Sequence, residues 1–158
     1  MRLTTFTDYS LRVLIYLAAQ PAERATIAQI SSAFQVSENH LVKVVHFLGK
    51  QGWLTNLRGK GGGLELGMPP EAIVVGRVVR ETEGLSQLAE CFGETDGDCA
   101  IAPDCRLRGV LGEAIKAFYA VLDRYTLADL VNNRQQLAQV LFHPKADPLG
   151  KARPARAA

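Results

Sequence analysis

The shortest connection in this chain constrains its fold most. A helix opening on Thr26-Ile-Ala-Gln29, where threonine followed by glutamine three residues later marks a capping box, runs to about Phe34. A second helix, with Leu41, Val44, Val45 and Leu48 as its apolar face, opens at Ser37, which can cap it, and ends near Gly52. Only Gln35-Val36 lies between them. Ahead of the pair, Leu11, Leu14, Ile15 and Ala18 share one face over residues 7–20, and Pro21 stops that helix. Behind it, residues 53–58 and 64–66 read as two short strands around the flexible tip Gly59-Lys-Gly-Gly-Gly63. Helix, helix, tight turn, helix and a basic hairpin is the order of a winged helix-turn-helix. So short a turn and so basic a tip favour it over a generic small helical domain with an exposed hairpin. The expected fold class is mainly α with a small β-wing: a winged helix-turn-helix plus a long dimerisation helix.

On that fold the third helix enters a DNA major groove with Ser37, Glu38, Asn39, His40 and Lys43 toward the base edges. Asn39 and His40 can donate or accept there, and Lys43 can meet a phosphate or a guanine. Arg58, Lys60 and Gly61 at the wing tip, and Thr26 at the head of the second helix, complete the DNA-facing set. Glycines at the tip let the backbone approach the duplex and let Arg58 reach a narrow minor groove. The same loop matches neither a Walker A nor a dinucleotide fingerprint, and it precedes a strand. Net charge seems at first to argue against such a partner, since 18 basic residues against 16 acidic leave only +2. By segment, however, residues 1–60 carry +4, residues 61–104 carry −7 and residues 105–158 carry +5. Near-neutrality is therefore a cancellation, and a locally basic DNA-facing region predicts strongly salt-dependent binding.

Pro69-Pro70 is expected to separate the DNA-binding domain, residues 1–68, from a short helix near 75–83 and an acidic, weakly patterned loop that reaches residue 104. Periodicity then returns through Leu107, Val110, Leu111, Ala114, Ile115, Phe118, Val121, Leu122 and Tyr125. These cover a wider arc than one partner needs, which predicts that this helix packs on its own domain and on a second subunit, giving a homodimer. Thr126 caps a short helix, another piece follows over 134–142, and residues 143–158 read as a disordered basic tail. The organisation expected is thus 1–68, 69–104, 105–142 and 143–158. The apolar stretch 13–19 is short for a signal peptide and is better read as a buried helix. No run of 18 apolar residues exists, so no membrane span is expected.

Cys91, Cys99 and Cys105 are the only cysteines, spaced C-x7-C-x5-C in or beside the acidic segment. An odd count without a secretory signal points to a reducing cytoplasm and to thiols that are free, metal-bound or redox-active. No C-x-x-C pair and no nearby histidine occurs, which argues against a thioredoxin-type enzyme and a zinc knuckle. Three thiolates suit an iron–sulfur centre with one site left for another ligand. Structural thiols or a cluster-free thiol redox sensor are the alternatives.

Residues 1–12 (Met-Arg-Leu-Thr-Thr-Phe-Thr-Asp-Tyr-Ser-Leu-Arg), Ser37-Glu-Asn-His-Leu-Val-Lys43, Arg58-Gly-Lys-Gly-Gly-Gly63, Cys105-Arg-Leu-Arg108 and Tyr125-Thr-Leu-Ala-Asp-Leu130 together resemble the nitric-oxide-sensitive repressors of the NsrR type. These belong to a winged-helix family that also contains the iron–sulfur regulator IscR. The resemblance covers about residues 1–131. It implies a cytoplasmic homodimeric repressor of operator DNA whose cluster, 4Fe-4S with 2Fe-2S as the alternative, is held by Cys91, Cys99 and Cys105. Asp8 matches an N-terminal aspartate that in this type reaches the cluster of the other subunit; it also reads as a first-turn carboxylate favoured by the helix dipole. In IscR-like members a histidine follows the third cysteine, whereas this chain has Arg106-Leu-Arg108 there. Nitric oxide as the signal, acting at iron to release promoters of nitric-oxide detoxification genes, is implied in the same way. A regulator of iron–sulfur assembly or cysteine supply on the same fold is the rival reading.

Overall fold

The structure is a computed structural model and describes residues 2–20, 24–59, 61–84, 101 and 104–142. Cys91, Cys99, Lys60 and the expected basic tail lie outside these residues. Helix α1 spans Thr5–Ala19, α2 Ile27–Phe34 and α3 Glu38–Lys50. Strands β1 (Leu54–Leu57) and β2 (Gly63–Leu66) pair antiparallel with Leu54 opposite Leu66 and Leu57 opposite Gly63. A 3-10 turn at Pro70–Ala72 precedes α4 (Val75–Glu83), and α5 (Arg106–Leu122), α6 (Leu127–Leu130) and α7 (Arg134–Phe142) follow.

Local chemistry sets the boundaries. Thr26 and Gln29 form the capping box reciprocally: the Thr26 hydroxyl accepts from the Gln29 N–H, and Gln29 Oε1 accepts from the Thr26 N–H at 2.7 Å. Helix α2 ends at Gln35, whose left-handed backbone (φ 54°) turns the chain, and the Ser31 hydroxyl donates to the Val36 carbonyl at 2.6 Å. This is the two-residue turn expected. Ser37 occupies the N-cap of α3, but its side chain makes no cap hydrogen bond, contrary to the expected capping. Its carbonyl accepts from the His40 and Leu41 N–H groups instead, so backbone bonding alone opens the helix.

One core joins these elements. Leu14 from α1, Ile30 from α2, Leu41, Val44 and Leu48 from α3, and Trp53 and Leu64 from the wing are buried in it. Ala25 extends the wing sheet by one bridge, exchanging hydrogen bonds with Leu64 at 3.0 and 2.7 Å. Beyond Pro69-Pro70 the chain turns back onto α1: Ile73, Val78 and Leu127 enter the same core. Val74 and Thr126 form a second bridge, and Thr126 shares a capping box with Asp129.

Helix α5 leans on α4 near its own end. Arg80 and Asp123 form a two-pronged ion pair at 2.7 and 2.5 Å, and the Arg80 guanidinium lies 4.4 Å from the Tyr119 ring centroid. Gly76 makes that approach fit, because a Cβ there would fall 2.0 Å from Asp123 Oδ1.

Candidate nucleic-acid interface and cysteine segment

Helix α3 presents a polar face opposite its buried one. At about 100° per residue, Asn39, Lys43, His46 and Lys50 fall together, diametrically across from Leu41, Val44, Val45 and Leu48. All four are exposed. Asn39 and Lys43 are expected from sequence; His46 and Lys50 join them here, and their spacing from Asn39 (i+7, i+11) carries the signal. Ser37 and Glu38 are exposed at the helix head. His40 is exposed too, but about 90° off the centre of this face, with its ring 6.1 Å from that of Tyr9 on α1.

The wing stands beside this face. Between them runs a groove of about 460 Å³ lined by Ile27, Val42, Val45, His46, Gly49, Lys50, Asn56 and Arg58. Arg58 and Asn56 are exposed on the wing side, and Thr26 is exposed at the head of α2 next to Ile27. Gly61 needs its glycine, with φ at +79°, and at Gly62 a Cβ would sit 2.3 Å from the Leu57 carbonyl. Arg24 braces the tip by donating to the Gly61 carbonyl at 2.8 Å and pairing with Glu65 at 3.0 Å. The groove thus offers donors on both walls, His46 and Lys50 from α3 and Asn56 and Arg58 from the wing.

The second site surrounds the start of α5. Cys105 is its N-cap residue, half-buried, with a free thiol that makes no cap hydrogen bond. That donor is available to a metal, and a thiolate suits an iron–sulfur group. Among the described residues no three His, Cys, Asp or Glu side chains converge as a metal site. Asp8 lies in the first turn of α1, half-exposed, and takes both prongs of Arg12 at 3.0 and 2.9 Å. Its carboxylate is at the surface, where a second subunit can meet it.

A clasp connects this segment to α1. Glu83 Oε1, one residue before Gly84 at the end of α4, accepts from the Thr4 N–H at 2.8 Å and the Thr4 hydroxyl at 3.1 Å. It also accepts from the Thr7 hydroxyl, which is fully buried. The last turn before the cysteine segment is therefore tied to the first turn of the helix that carries Asp8.

A three-helix core with a small β-wing, beside a long helix, defines a winged-helix regulator of transcription. Residues 3–133 match the family described as Rrf2, iron-dependent transcriptional regulator. The chain belongs to the Rrf2 family. It is 50% identical over 142 residues to the HTH-type transcriptional regulator NsrR of Bacillus subtilis, covering 89% of this chain and 97% of that protein. It is 49% identical over 142 residues to NsrR of Geobacillus kaustophilus, again covering 89% and 97%. Among solved structures it is similar to CymR, the global cysteine regulator of B. subtilis, with TM-score 0.63, 30% identity, and 84% and 98% coverage. It shares its fold with the T. potens IscR at TM-score 0.66 and 24% identity, covering 87% and 90%. The protein is a transcriptional regulator and not an enzyme, and no helix among the described residues is long and apolar enough to cross a membrane.

Proposed function

We propose that this protein is a homodimeric repressor that binds double-stranded operator DNA through α3 and the wing and responds to nitric oxide through an iron–sulfur cluster. The cluster is 4Fe-4S, held by Cys91, Cys99 and Cys105 with Asp8 of the other subunit as the fourth ligand. The observation that carries this reading is the chain-long identity to two NsrR proteins in a chain that also has a free thiol at the start of α5. The family's description as iron-dependent supports the metal. When bound, such a cluster would supply iron that is reactive toward nitric oxide. The chain's own residues carry the consequence. Glu83 ties the end of α4 to Thr4 and Thr7, so a change in the segment after Gly84 bears on the head of α1. Phe6 of α1 packs edge-on against Phe47 of α3 at 5.3 Å, which passes the movement to the DNA-reading helix. Release of the operator follows from lost spacing between the two recognition helices. The expected compartment is a reducing cytoplasm, and the units at work are 1–68, 69–104, 105–142 and the tail 143–158.

The dimer uses α5. Leu107 and Val110 are each 61% exposed, and Val121 lies on the same stripe. Anaerobic purification tests the proposal: a brown protein is expected, with visible absorbance that bleaches in proportion to added nitric oxide, and with operator binding lost in parallel. Cys99→Ala protein that bound operator and answered nitric oxide as the wild type does would overturn it. The similarity to CymR favours a second reading, control of cysteine supply. On that reading a colourless protein would bind DNA and ignore nitric oxide.

A further inference from the structure

The polar face of α3 has one apolar intruder. Val42 is 52% exposed, the fifth residue of the helix, and lies at the wing-facing edge of that face, about 70° from its centre and between His46 and the buried Val45. A buried neighbour does not account for it, because the buried face of α3 is made by Leu41, Val44, Val45 and Leu48. Val42 lines the groove whose other exposed side chains are His46, Lys50, Asn56 and Arg58, all hydrogen-bond donors. Whatever seats against those donors also covers Val42. A nucleic acid offers anionic phosphates to the donors, and in the major groove it offers only one apolar group, the C5 methyl of thymine.

We infer that Val42 is a specificity-determining residue that reads a thymine methyl in each half-site of the operator. The inference rests on the DNA-binding reading above and deepens it. Residues near the N-terminus of a recognition helix approach base edges most closely, and Val42 lies there, while Lys50 and Arg58 stand farther along the groove where the backbone passes. Valine has no donor or acceptor of its own in its side chain, so it adds nothing to phosphate binding. Its contribution is confined to the base it touches.

The test removes the methyl from the DNA and the side chain from the protein independently. A duplex is first selected from a random pool by the full-length dimer, purified without oxygen. Each thymine in it is then replaced singly by deoxyuridine, which lacks only the methyl, and binding is measured for wild type and Val42→Ala. At one thymine per half-site, wild type is expected to lose about fourfold, the factor that burial of one methyl is worth. Val42→Ala should bind the thymine and uracil duplexes alike. Its salt dependence should match that of the wild type, since no phosphate contact has gone. A uniform uracil profile for both proteins, or a Val42→Ala loss that is equal at every sequence, would overturn the inference while leaving DNA binding intact. Failure to select any duplex would overturn the DNA-binding reading as well.

Discussion

The two longest helices of this protein stand in opposite surroundings. Helix α1 buries eight of its 15 residues, whereas α5 has 17 and buries none. Apolar content does not explain the difference, since α5 carries Leu107, Val110, Leu111, Ile115, Phe118, Val121 and Leu122. Neighbours do: α1 is enclosed by α3, α4, α6, α7 and β2, while α5 rests chiefly on α4. The winged helix thus completes its core within one chain. Helix α5 has an apolar stripe that one chain leaves in water, which is the physical case for a second copy.

The sharpest way to break that contrast is to cut equally into both regions. Trp53 is buried among Leu48, Leu54 and Phe47, so Trp53→Ala should cost about 3–5 kcal/mol in urea unfolding followed by tryptophan-independent circular dichroism. Val110→Ala, at a site 61% exposed, should change folding of a dilute single chain by no more than about 0.5 kcal/mol. Equal costs at the two sites would mean that α5 is enclosed in a way the exposed stripe contradicts.

The next largest effect concerns association. Leu107→Glu with Val110→Glu puts two charges on the stripe. Sedimentation should show dimer dissociation strengthened on the order of 10²-fold or more, with helical content of the winged region retained. A doubly substituted protein that stays dimeric would move the interface elsewhere.

What sequence revealed follows the same division. Periodicity and caps are local, so Thr26 with Gln29, Thr126, the Gln35-Val36 turn and the ends of α4 and α7 were all legible, whereas α5 stops at Leu122, three residues before the end of its apolar periodicity at Tyr125. Asn39 and Lys43 were legible as the outer face of α3. Val42 lies outside the apolar face that periodicity assigns to α3, and only the wing folded beside the helix shows what it lines. His46 and Lys50 share the helical spacing of Asn39 and Lys43 but lie beyond the first turns, and Asn56 joins them only once the folded wing forms the other wall of the groove. Glu83 was invisible for a different reason. Its partners Thr4 and Thr7 lie 79 and 76 residues away, and a contact of that separation leaves no periodic trace. The three cysteines were conspicuous by type, and Cys105, the one among the described residues, sits at the N-cap of α5.

A smaller prediction probes the clasp between the two regions. Glu83→Gln keeps the shape but removes the charge that three donors share, and should cost about 1.5 kcal/mol, the low end for charge-assisted bonds because the site is partly solvated. Thr7→Val removes one donor from a fully buried position and should cost a similar amount. If the clasp also carries the signal, Glu83→Gln should weaken the response of DNA binding to nitric oxide while leaving operator affinity of the untreated protein near normal. An unchanged response at reduced stability would leave Glu83 a structural tie only.

The smallest effect lies at the joint between α4, α5 and α6, and it is read through pH. The Arg80 guanidinium, by hydrogen bonding foremost, holds the Asp123 carboxyl below its ordinary value of 3.8, and the Thr126 backbone N–H does the same for Asp129. A carboxylate with a lower pKa folded than unfolded stabilises the fold above the unfolded value, and that stability is lost as pH falls through the folded value. Stability from these two groups is therefore complete above the ordinary carboxylate range and disappears below it. Both carboxylates are solvent-exposed, so the change is small and screened by salt. Urea midpoints measured from pH 7 down to pH 2 should fall less steeply at the acid end for Asp123→Asn combined with Asp129→Asn than for the wild type, with parallel curves above pH 5. Identical acid slopes would mean that α5 is joined to the winged region through its apolar packing on α4 and the Arg80–Tyr119 contact, with the ion pair contributing nothing measurable.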